Sequence, residues 1–468
     1  MKDRQIFQDI EITDISTEGK GIGRVNNIVC FSDFAVPGDV VDIEIVKKKS
    51  NYREGKVIKY QKRSAKRIEP ACQHFGTCGG CKWQNLNYET QLFYKQKYVE
   101  DAITRIGKIN TQILPIIPSK NIFNYRNKLE FTFSNKKWLT KDELNLTLAN
   151  ESNSISHSGL GFHIPKLFDK LLDIEKCHLQ EEPSNAIRLE VKKYALENNL
   201  TFHDIRKREG FLRNLIIRNT SIGEWMVVVV LFNEDKSARE KLLKHLSEKF
   251  PQITSLQYVI NPKANDSIFD LEVQPFLGKD FIVEEMEGLK FQISPKSFFQ
   301  TNSLQAYELY KVTRDFAELK TNETVYDLYT GTGTIANFVA KRAKKVIGIE
   351  YVKEAIEDAK INSRINNISN TEFFAGDIKD ILSNEFVSSH GKPEVIITDP
   401  PRAGMHEDVV RKMLEISSGK IIYVSCNPAT QARDISILNE KYSVTKVRPV
   451  DMFPHTAHVE SVAQLIRK

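Results

Sequence analysis

The chain has 468 residues, 41% of them apolar and 27% charged, which excludes a disordered or fibrous protein and is too long for one ordinary domain. Met1 to Ile15 mixes charged and apolar residues without the apolar centre of a signal peptide, and the longest apolar run, Trp225 to Phe232, is too short to span a bilayer, so a cytoplasmic protein free of the membrane is expected. The formal net charge of +6 says little, but between Lys47 and Arg67 ten basic residues face the single acid Glu54, a local charge of +9.

In chain order, β-prone runs broken by Gly and Pro cover Ile6 to Ile15, Gly23 to Phe34, Asp39 to Val46 and Gly55 to Tyr60, with Pro37-Gly38 as a turn. That spacing suits a small five-stranded barrel of the oligonucleotide-binding sort. Gly19 to Gly23 followed by Val36-Pro37-Gly38-Asp39 resembles a TRAM domain, an RNA-binding barrel. The resemblance implies that residues 1–62 bind RNA. The adjoining basic stretch would then release counterions on meeting a phosphate backbone; a solvated charged face that touches nothing is the competing reading.

Residues 63–290 read as a mixed α+β region. A helix is expected from Tyr88 to Ile106, reaching the catalytic domain, with strands at Lys128 to Phe133 and Trp225 to Leu231. Cys72, Cys78 and Cys81 form a C-x5-C-x2-C run. In a cytoplasmic protein such clustering favours a metal over disulfides. Cys177 remains as the fourth ligand once Cys30 is assigned to the barrel core and Cys426 to chemistry. Four thiolates suit zinc on chemical grounds.

From residue 291 to 468 strands alternate with helices: Thr324 to Leu328, Lys345 to Glu350, Thr371 to Phe374, Glu394 to Asp399 and Lys420 to Ser425. This alternation signals a Rossmann-like, doubly wound parallel sheet, whose ligands sit at the carboxyl ends of the strands. The first strand runs into Tyr329-Thr330-Gly331-Thr332-Gly333-Thr334, and the second ends in Glu350, nineteen positions after Gly331. Glycines let the backbone approach a ligand closely, and the acid can accept both ribose hydroxyls. Gly331, Gly333 and Ala336 also satisfy a dinucleotide fingerprint, so an NAD enzyme stays open at this point. The fourth strand ends in Asp399-Pro400-Pro401-Arg402. An acid before two prolines resembles the motif of nucleic-acid methyltransferases, in which the prolines form part of the target-base pocket, and this favours S-adenosylmethionine. By that resemblance Tyr329 and Glu350 contact the methionine and ribose parts, and Asp399 lies beside cofactor and base. Gln300, in Phe298-Phe299-Gln300, closes over the site, and Gly331, Asn362 and Asp377 belong to the same pocket.

The fifth strand delivers Cys426, in Ser425-Cys426-Asn427-Pro428, to the same edge of the sheet. An arbitrary Cys is more often a small buried hydrophobe than a nucleophile; placement at a catalytic strand end is what distinguishes this one. Carbon 5 of uridine is too weak a nucleophile to take a methyl group directly. A thiolate added at carbon 6 makes an enolate that shares its charge onto carbon 5, after which a base must remove the carbon 5 proton. Glu460 is the expected base. His455 and His458 are alternatives, with a structural role in orienting the last strand preferred for them.

Ser425-Cys426-Asn427-Pro428, Asp399-Pro400-Pro401-Arg402 and His458-Val459-Glu460-Ser461 together resemble the RNA 5-methyluridine methyltransferase family across the whole chain. Thr330 and Thr334 depart from it, standing where members often carry Cys and Asn. The resemblance implies a 4Fe-4S cluster on Cys72, Cys78, Cys81 and Cys177, with zinc second, and a 23S ribosomal-RNA substrate rather than transfer RNA. No obligate protein partner is evident. A 5-methylcytosine enzyme, an exocyclic-nitrogen methyltransferase and a non-catalytic RNA-binding factor are the remaining alternatives, the last disfavoured by the presence of both Cys426 and Glu460.

Overall fold

In the computed structural model, which describes residues 5–139, 143–145 and 157–468, the first five strands close into a barrel: β1 (Ile6–Ile15), β2 (Gly21–Val25), β3 (Ile28–Ser32), β4 (Val40–Lys48) and β5 (Tyr52–Lys62), in the order β1-β2-β3-β5-β4. Residues 1–4 of the expected barrel and parts of the expected central region lie outside the described residues. The single run expected from Gly23 to Phe34 is two strands. Asn26 and Asn27 both take left-handed φ, 48° and 65°, and such a pair makes the two-residue hairpin whose twist matches its strands. Ile12, Cys30, Val41 and Ile43 are fully buried inside the barrel, which puts Cys30 in the core as expected.

The basic stretch is not uniform. Arg67 donates to Asp39 through Nε (2.8 Å) and Nη2 (2.6 Å) and to the Phe34 carbonyl (2.9 Å), tying the end of the stretch to the barrel. Lys47 pairs with Glu54 at 2.8 Å. Lys48, Lys49, Lys56, Lys59, Lys62 and Arg63 remain exposed.

The edge strand β6 (Gln112–Ile113) comes next in the chain and belongs to the C-terminal sheet. The central region is built on a seven-stranded sheet. It comprises β7 (Lys128–Ser134), β8 (Gly159–Ile164), β9 (Leu167–Asp173), β10 (Leu212–Asn219), β11 (Trp225–Leu231), β12 (Ile253–Ile260) and β13 (Gln274–Gly278), in the order β13-β12-β11-β10-β7-β8-β9. Successive side chains of a strand face opposite ways, and β11 shows the use made of this. Val227, Val229 and Leu231 pack with Ile187, Val191, Leu242 and Leu246 from the helices Ser184–Glu197 and Lys236–Lys249. Met226, Val228 and Val230 join Phe291, Leu309 and Val325 of the C-terminal region. The continuous apolar run is therefore a strand buried on both faces, and its second face welds the central region to the C-terminal one. A separate hairpin, β14 (Ile282–Met286) and β15 (Leu289–Ile293), leads into that region.

In the C-terminal sheet β16 (Thr324–Leu328), β17 (Lys345–Glu350), β18 (Thr371–Ala375), β19 (Val395–Thr398) and β20 (Lys420–Ser425) are parallel, and β22 (Glu460–Arg467) runs antiparallel between β20 and β21 (Tyr442–Val450). The order of its eight strands is β18-β17-β16-β19-β20-β22-β21-β6. Strand β6 pairs with β21 although it lies far upstream in sequence. Helix α1 (Tyr88–Asp101) continues as a π-helical segment to Ile106 and packs on the helix Pro428–Leu438. The stretch from Tyr88 to Ile117 thus sits with the C-terminal sheet, whereas a sequence division at residue 63 assigns it to the central region. A two-residue strand carries no periodicity that would have announced it. No helix among the described residues is long and apolar enough to cross a membrane.

Candidate active site

The strand ends of the parallel sheet converge as expected for a doubly wound fold. After β16, Tyr329 takes φ 62°, Gly331 φ 54° and Gly333 φ 72°. The two glycines serve different needs. A Cβ on Gly331 would meet nothing within 4 Å, so that side of the loop is open, whereas a Cβ on Gly333 would lie 2.8 Å from the Cβ of Ala359 in the neighbouring helix. The Gly331 amide donates to Glu350 Oε2 (3.2 Å), and the Val352 amide donates to Oε1 (3.0 Å). The acid at the end of β17 is thereby aimed across the glycine loop.

Asn362 lies beneath this loop and is fully buried. Its Oδ1 accepts from the Gln292 amide (2.8 Å) and its Nδ2 donates to the Thr332 carbonyl (3.0 Å). The residue expected to touch the cofactor braces the loop that would. Asp377 follows β18 and caps a short helix through the Lys379 amide (3.1 Å); it is one of the acids facing the Tyr329 ring. Gln300 is buried, and its carbonyl accepts from Asn127 of the central region (2.9 Å).

The second half of the site lies at the ends of β19, β20 and β22. Ser425 pairs with Ser461 across the antiparallel β20–β22 ladder, so Cys426 and Glu460 lie opposite each other where that ladder ends. Cys426 stands between the strand and the helix capped by Asn427, whose Oδ1 accepts from the Ala429 amide (3.2 Å), with Pro428 at the first helical position. Asn427 Nδ2 donates to the Arg402 carbonyl (3.0 Å), and Tyr98 of α1 donates to Asn427 Oδ1 (3.3 Å). Asn427, next to Cys426, thereby ties the Pro-Pro motif to α1.

Electrostatically the site is acid-rich. Burial pushes the Glu460 carboxyl up to about 8, the nearby Asp399 adding to the shift and Arg402 opposing it. Burial also raises Asp399 to about 7, with Asp327 contributing, and Asp327 to about 7. The Cys426 thiol is raised to about 11 by burial and then by Glu460 and Asp399, while Arg402 pulls it down. Asp327 Oδ1 is buried without a hydrogen-bond partner among the described residues. Such a cluster is complementary to a cation, since positive charge entering the site stabilises every ionised form.

Sequence reasoning places Asp327 and Arg402 within their motifs without giving them roles. The signal was present, because each stands within three residues of one that was chosen, Tyr329 and Asp399. His455 is buried, neutral and held by its neighbours: its amide donates to Gln91 Oε1 (2.8 Å) and its ring lies 4.5 Å from that of Phe123. It fits the structural role expected of it.

Cys72, Cys78, Cys81 and Cys177 line one cavity of about 390 Å³, together with His74, Arg126 and Thr301. The two loops that bring them there are tied by Glu175, whose amide donates to His74 Nε2 (3.0 Å) and whose carboxylate accepts from Gln73 (2.7 Å). No group of three or more His, Cys, Asp or Glu among the described residues is arranged to hold a metal ion. The four thiols share one cavity, and the expected closed four-thiolate metal knot is not shown among the described residues.

Comparison with known proteins agrees with both halves of the molecule. The family model of tRNA (uracil-5-)-methyltransferases matches residues 220–468, and that of the TRAM domain matches residues 7–58. A protein of Bacteroides thetaiotaomicron named as an uncharacterized RNA methyltransferase is 56% identical, covering 96% of this chain and 99% of its own. A like-named protein of Porphyromonas gingivalis is 54% identical, covering 98% and 99%. The crystal structure of Pyrococcus abyssi tRNA (uracil-54, C5)-methyltransferase in complex with S-adenosyl-L-homocysteine aligns with a TM-score of 0.75 at 30% identity, covering 98% of this chain and all of that one.

Proposed function

The chain belongs to the RNA uracil-5 methyltransferase family, and from that premise we propose that it methylates carbon 5 of a uridine in 23S ribosomal RNA through a covalent adduct on Cys426. One observation carries the mechanistic part: Cys426 and Glu460 stand opposite each other at the end of one ladder, beside Asp399. Bound S-adenosylmethionine supplies an electrophilic methyl group, and its sulfonium charge suits the acid-rich site. Glu350, Gly331 and Tyr329 hold the ribose and methionine parts, Asn362 and Asp377 support that pocket, and Gln300 closes it.

The Cys426 thiolate adds to carbon 6 of the uracil, and the ring electrons move onto carbon 5 and oxygen 4. Carbon 5 would then take the methyl group as the methyl–sulfur bond breaks, its electron pair staying with sulfur in the released S-adenosylhomocysteine. Glu460 removes the carbon 5 proton, the C–H electron pair restores the ring double bond, and the carbon 6–sulfur bond breaks to release the thiolate. A Glu460 carboxyl lifted toward 8 is a stronger base than an ordinary carboxylate, which suits a proton on carbon. Arg402, which pulls down the Cys426 thiol and the Glu460 carboxyl alike, favours the ionised form of each.

Residues 1–62 are assigned to RNA binding, 63–290 apart from the stretch around α1 to the central region, and 291–468 to methyl transfer, in the cytoplasm with its RNA. Cys72, Cys78, Cys81 and Cys177 are assigned to a 4Fe-4S cluster. Four thiols around one cavity support a shared metal group on this set, and the choice of iron–sulfur over zinc rests on the resemblance to the family's 23S enzymes. The cluster would staple the two loops that carry its ligands.

The target RNA is argued from the pairing of a TRAM barrel with a four-cysteine site, a combination resembling the family's 23S enzymes. Transfer RNA is the second reading, favoured by the likeness to the Pyrococcus abyssi enzyme. Two measurements test the proposal. Incubation with 5-fluorouridine-substituted RNA and S-adenosylmethionine should trap an adduct on Cys426, because fluorine cannot leave as a proton does; absence of the adduct on an RNA the enzyme methylates would refute the mechanism. Mapping 5-methyluridine in ribosomal and transfer RNA from cells with and without the protein decides the substrate.

A further inference from the structure

We propose that α1 and the residues following Cys81 position the catalytic base, by clamping the link between β21 and β22 from outside the methyltransferase fold. The inference rests on Glu460 being that base. Val450 pairs with Glu460 as the closing pair of the β21–β22 hairpin, and Asp451 to Val459 form the link between them. A link of this length without strands or helices of its own is ordinarily loose, and a displacement of about 1 Å at a reacting group costs on the order of 10²-fold in rate.

Here the link has its carbonyls taken one after another. Met452 O accepts from Asn302 Nδ2 (2.9 Å), Phe453 O from Lys95 Nζ (2.9 Å) and Pro454 O from the Tyr125 hydroxyl (3.0 Å). His455 O accepts from the amides of Lys82 (2.8 Å) and Trp83 (3.1 Å). At the start of the link, Asp451 accepts from Lys95 Nζ (2.5 Å) and from the Tyr88 hydroxyl (2.8 Å). Gln91 accepts from the His455 amide (2.8 Å) and donates to the carbonyls of Trp83 and Leu86. The link also braces itself, the Phe453 amide donating to Asp451 Oδ1 (3.1 Å) and Thr456 donating to the Phe453 carbonyl through its hydroxyl (2.7 Å) and amide (3.3 Å); apart from these and Asn302, the donors to these link carbonyls and to Asp451 come from residues 82–125.

The Lys95–Asp451 pair has no exposed side-chain surface at either partner. A buried ion pair is a weak source of stability, because desolvation offsets its attraction, and replacing it with apolar residues is often neutral. What it supplies here is geometry: a cation from α1 holds both the first carboxylate of the link and the carbonyl two residues on. Lys82 follows Cys81 directly, so the wall of the four-cysteine cavity grips the same link. Lys95 and Gln91 act through Glu460 and are positioning residues.

The test uses the full-length protein and whichever transcript, 23S ribosomal RNA or transfer RNA, the wild type methylates. In the double variant Lys95→Met with Asp451→Leu, both charges are removed together. Turnover should fall by roughly 10²-fold, the initial rate of adduct formation on the 5-fluorouridine transcript should stay within about threefold of wild type, and a denaturation-resistant methylated RNA–protein species should accumulate on the ordinary transcript, because proton removal alone is slowed. Should the double variant not fold, Gln91→Leu is scored by the same three readouts. Turnover within about twofold of wild type, or a parallel fall in turnover and adduct formation, overturns the proposal. Glu460→Gln runs alongside: if it traps nothing on the ordinary transcript, the base has been misassigned and the positioning role falls with it, whereas trapping by Glu460→Gln but not by the double variant refutes the clamp alone.

Discussion

Cys426 and Cys81 are both half-buried thiols pushed upward by burial, to about 11 and about 12, yet their surroundings separate them. Glu460, Asp399 and Arg402 surround Cys426. Cys81 is surrounded by Cys72, Cys78 and Cys177. A thiol among carboxylates and a guanidinium has neighbours that can accept a proton and balance charge as a reaction proceeds. Thiols gathered around one cavity make instead the set assigned above to the cluster. Burial therefore does not identify the reactive cysteine; the chemistry of the neighbours does.

The largest expected effect breaks the comparison at its centre. Cys426→Ala should lower methyl transfer by about 10⁴-fold or more and abolish the 5-fluorouridine adduct, while Cys81→Ser retains adduct formation and lowers the melting temperature; loss of the adduct in both, by gel shift under denaturing conditions, would erase the distinction. Next, Glu460→Gln should cut turnover by roughly 10²- to 10⁴-fold with a methylated RNA–protein species building up, measured with labelled S-adenosylmethionine.

A third prediction concerns pH. The Asp327, Asp399 and Glu460 carboxyls are raised in the folded chain to about 7, 7 and 8. A raised carboxyl contributes stability that is complete below its unfolded pKa and is lost as pH rises through the folded value. The melting temperature should therefore fall by roughly 5 °C between about pH 6 and about pH 9. Glu460→Gln should lessen the fall, and a cationic cofactor analogue such as sinefungin should offset it more than neutral S-adenosylhomocysteine does. An equal drop in variant and wild type by calorimetry would count against the acid cluster. The smallest effect lies farthest away: changing Lys47, Lys48 and Lys49 to Gln should weaken RNA binding at low salt and reduce the slope of log affinity against log salt by about 0.7 for each phosphate no longer neutralised. An unchanged slope would mean that this stretch does not touch RNA.

Much of the site was legible because its residues sit next to regular elements. Gly331, Glu350, Asp399 and Cys426 each end or follow a parallel strand, and strand ends of such sheets are where ligands bind. Asn362 was assigned to the cofactor pocket by resemblance, but its place as the brace of the glycine loop was not legible, because sequence does not reveal whether a buried amide faces ligand or backbone. The basic stretch read as one face; Arg67 turned inward because Asp39 is buried beneath it. The hairpin at Asn26-Asn27 was missed although its residue types favour left-handed backbone.

The sequence alone determined the family, the doubly wound sheet, the barrel and the pairing of a thiol with a carboxylate. These follow from motifs and strand patterns that are each only a few residues long, and local chemistry dictates them. Only the tertiary structure decided that four cysteines share a cavity, that a short strand from the region around α1 completes the C-terminal sheet, and that Lys95 grips Asp451. Those partners lie far apart in the chain, and a buried cation leaves no local trace of which distant carboxylate it will meet. The packing of both faces of β11 against separate elements is likewise a consequence of burial that no short window of sequence contains.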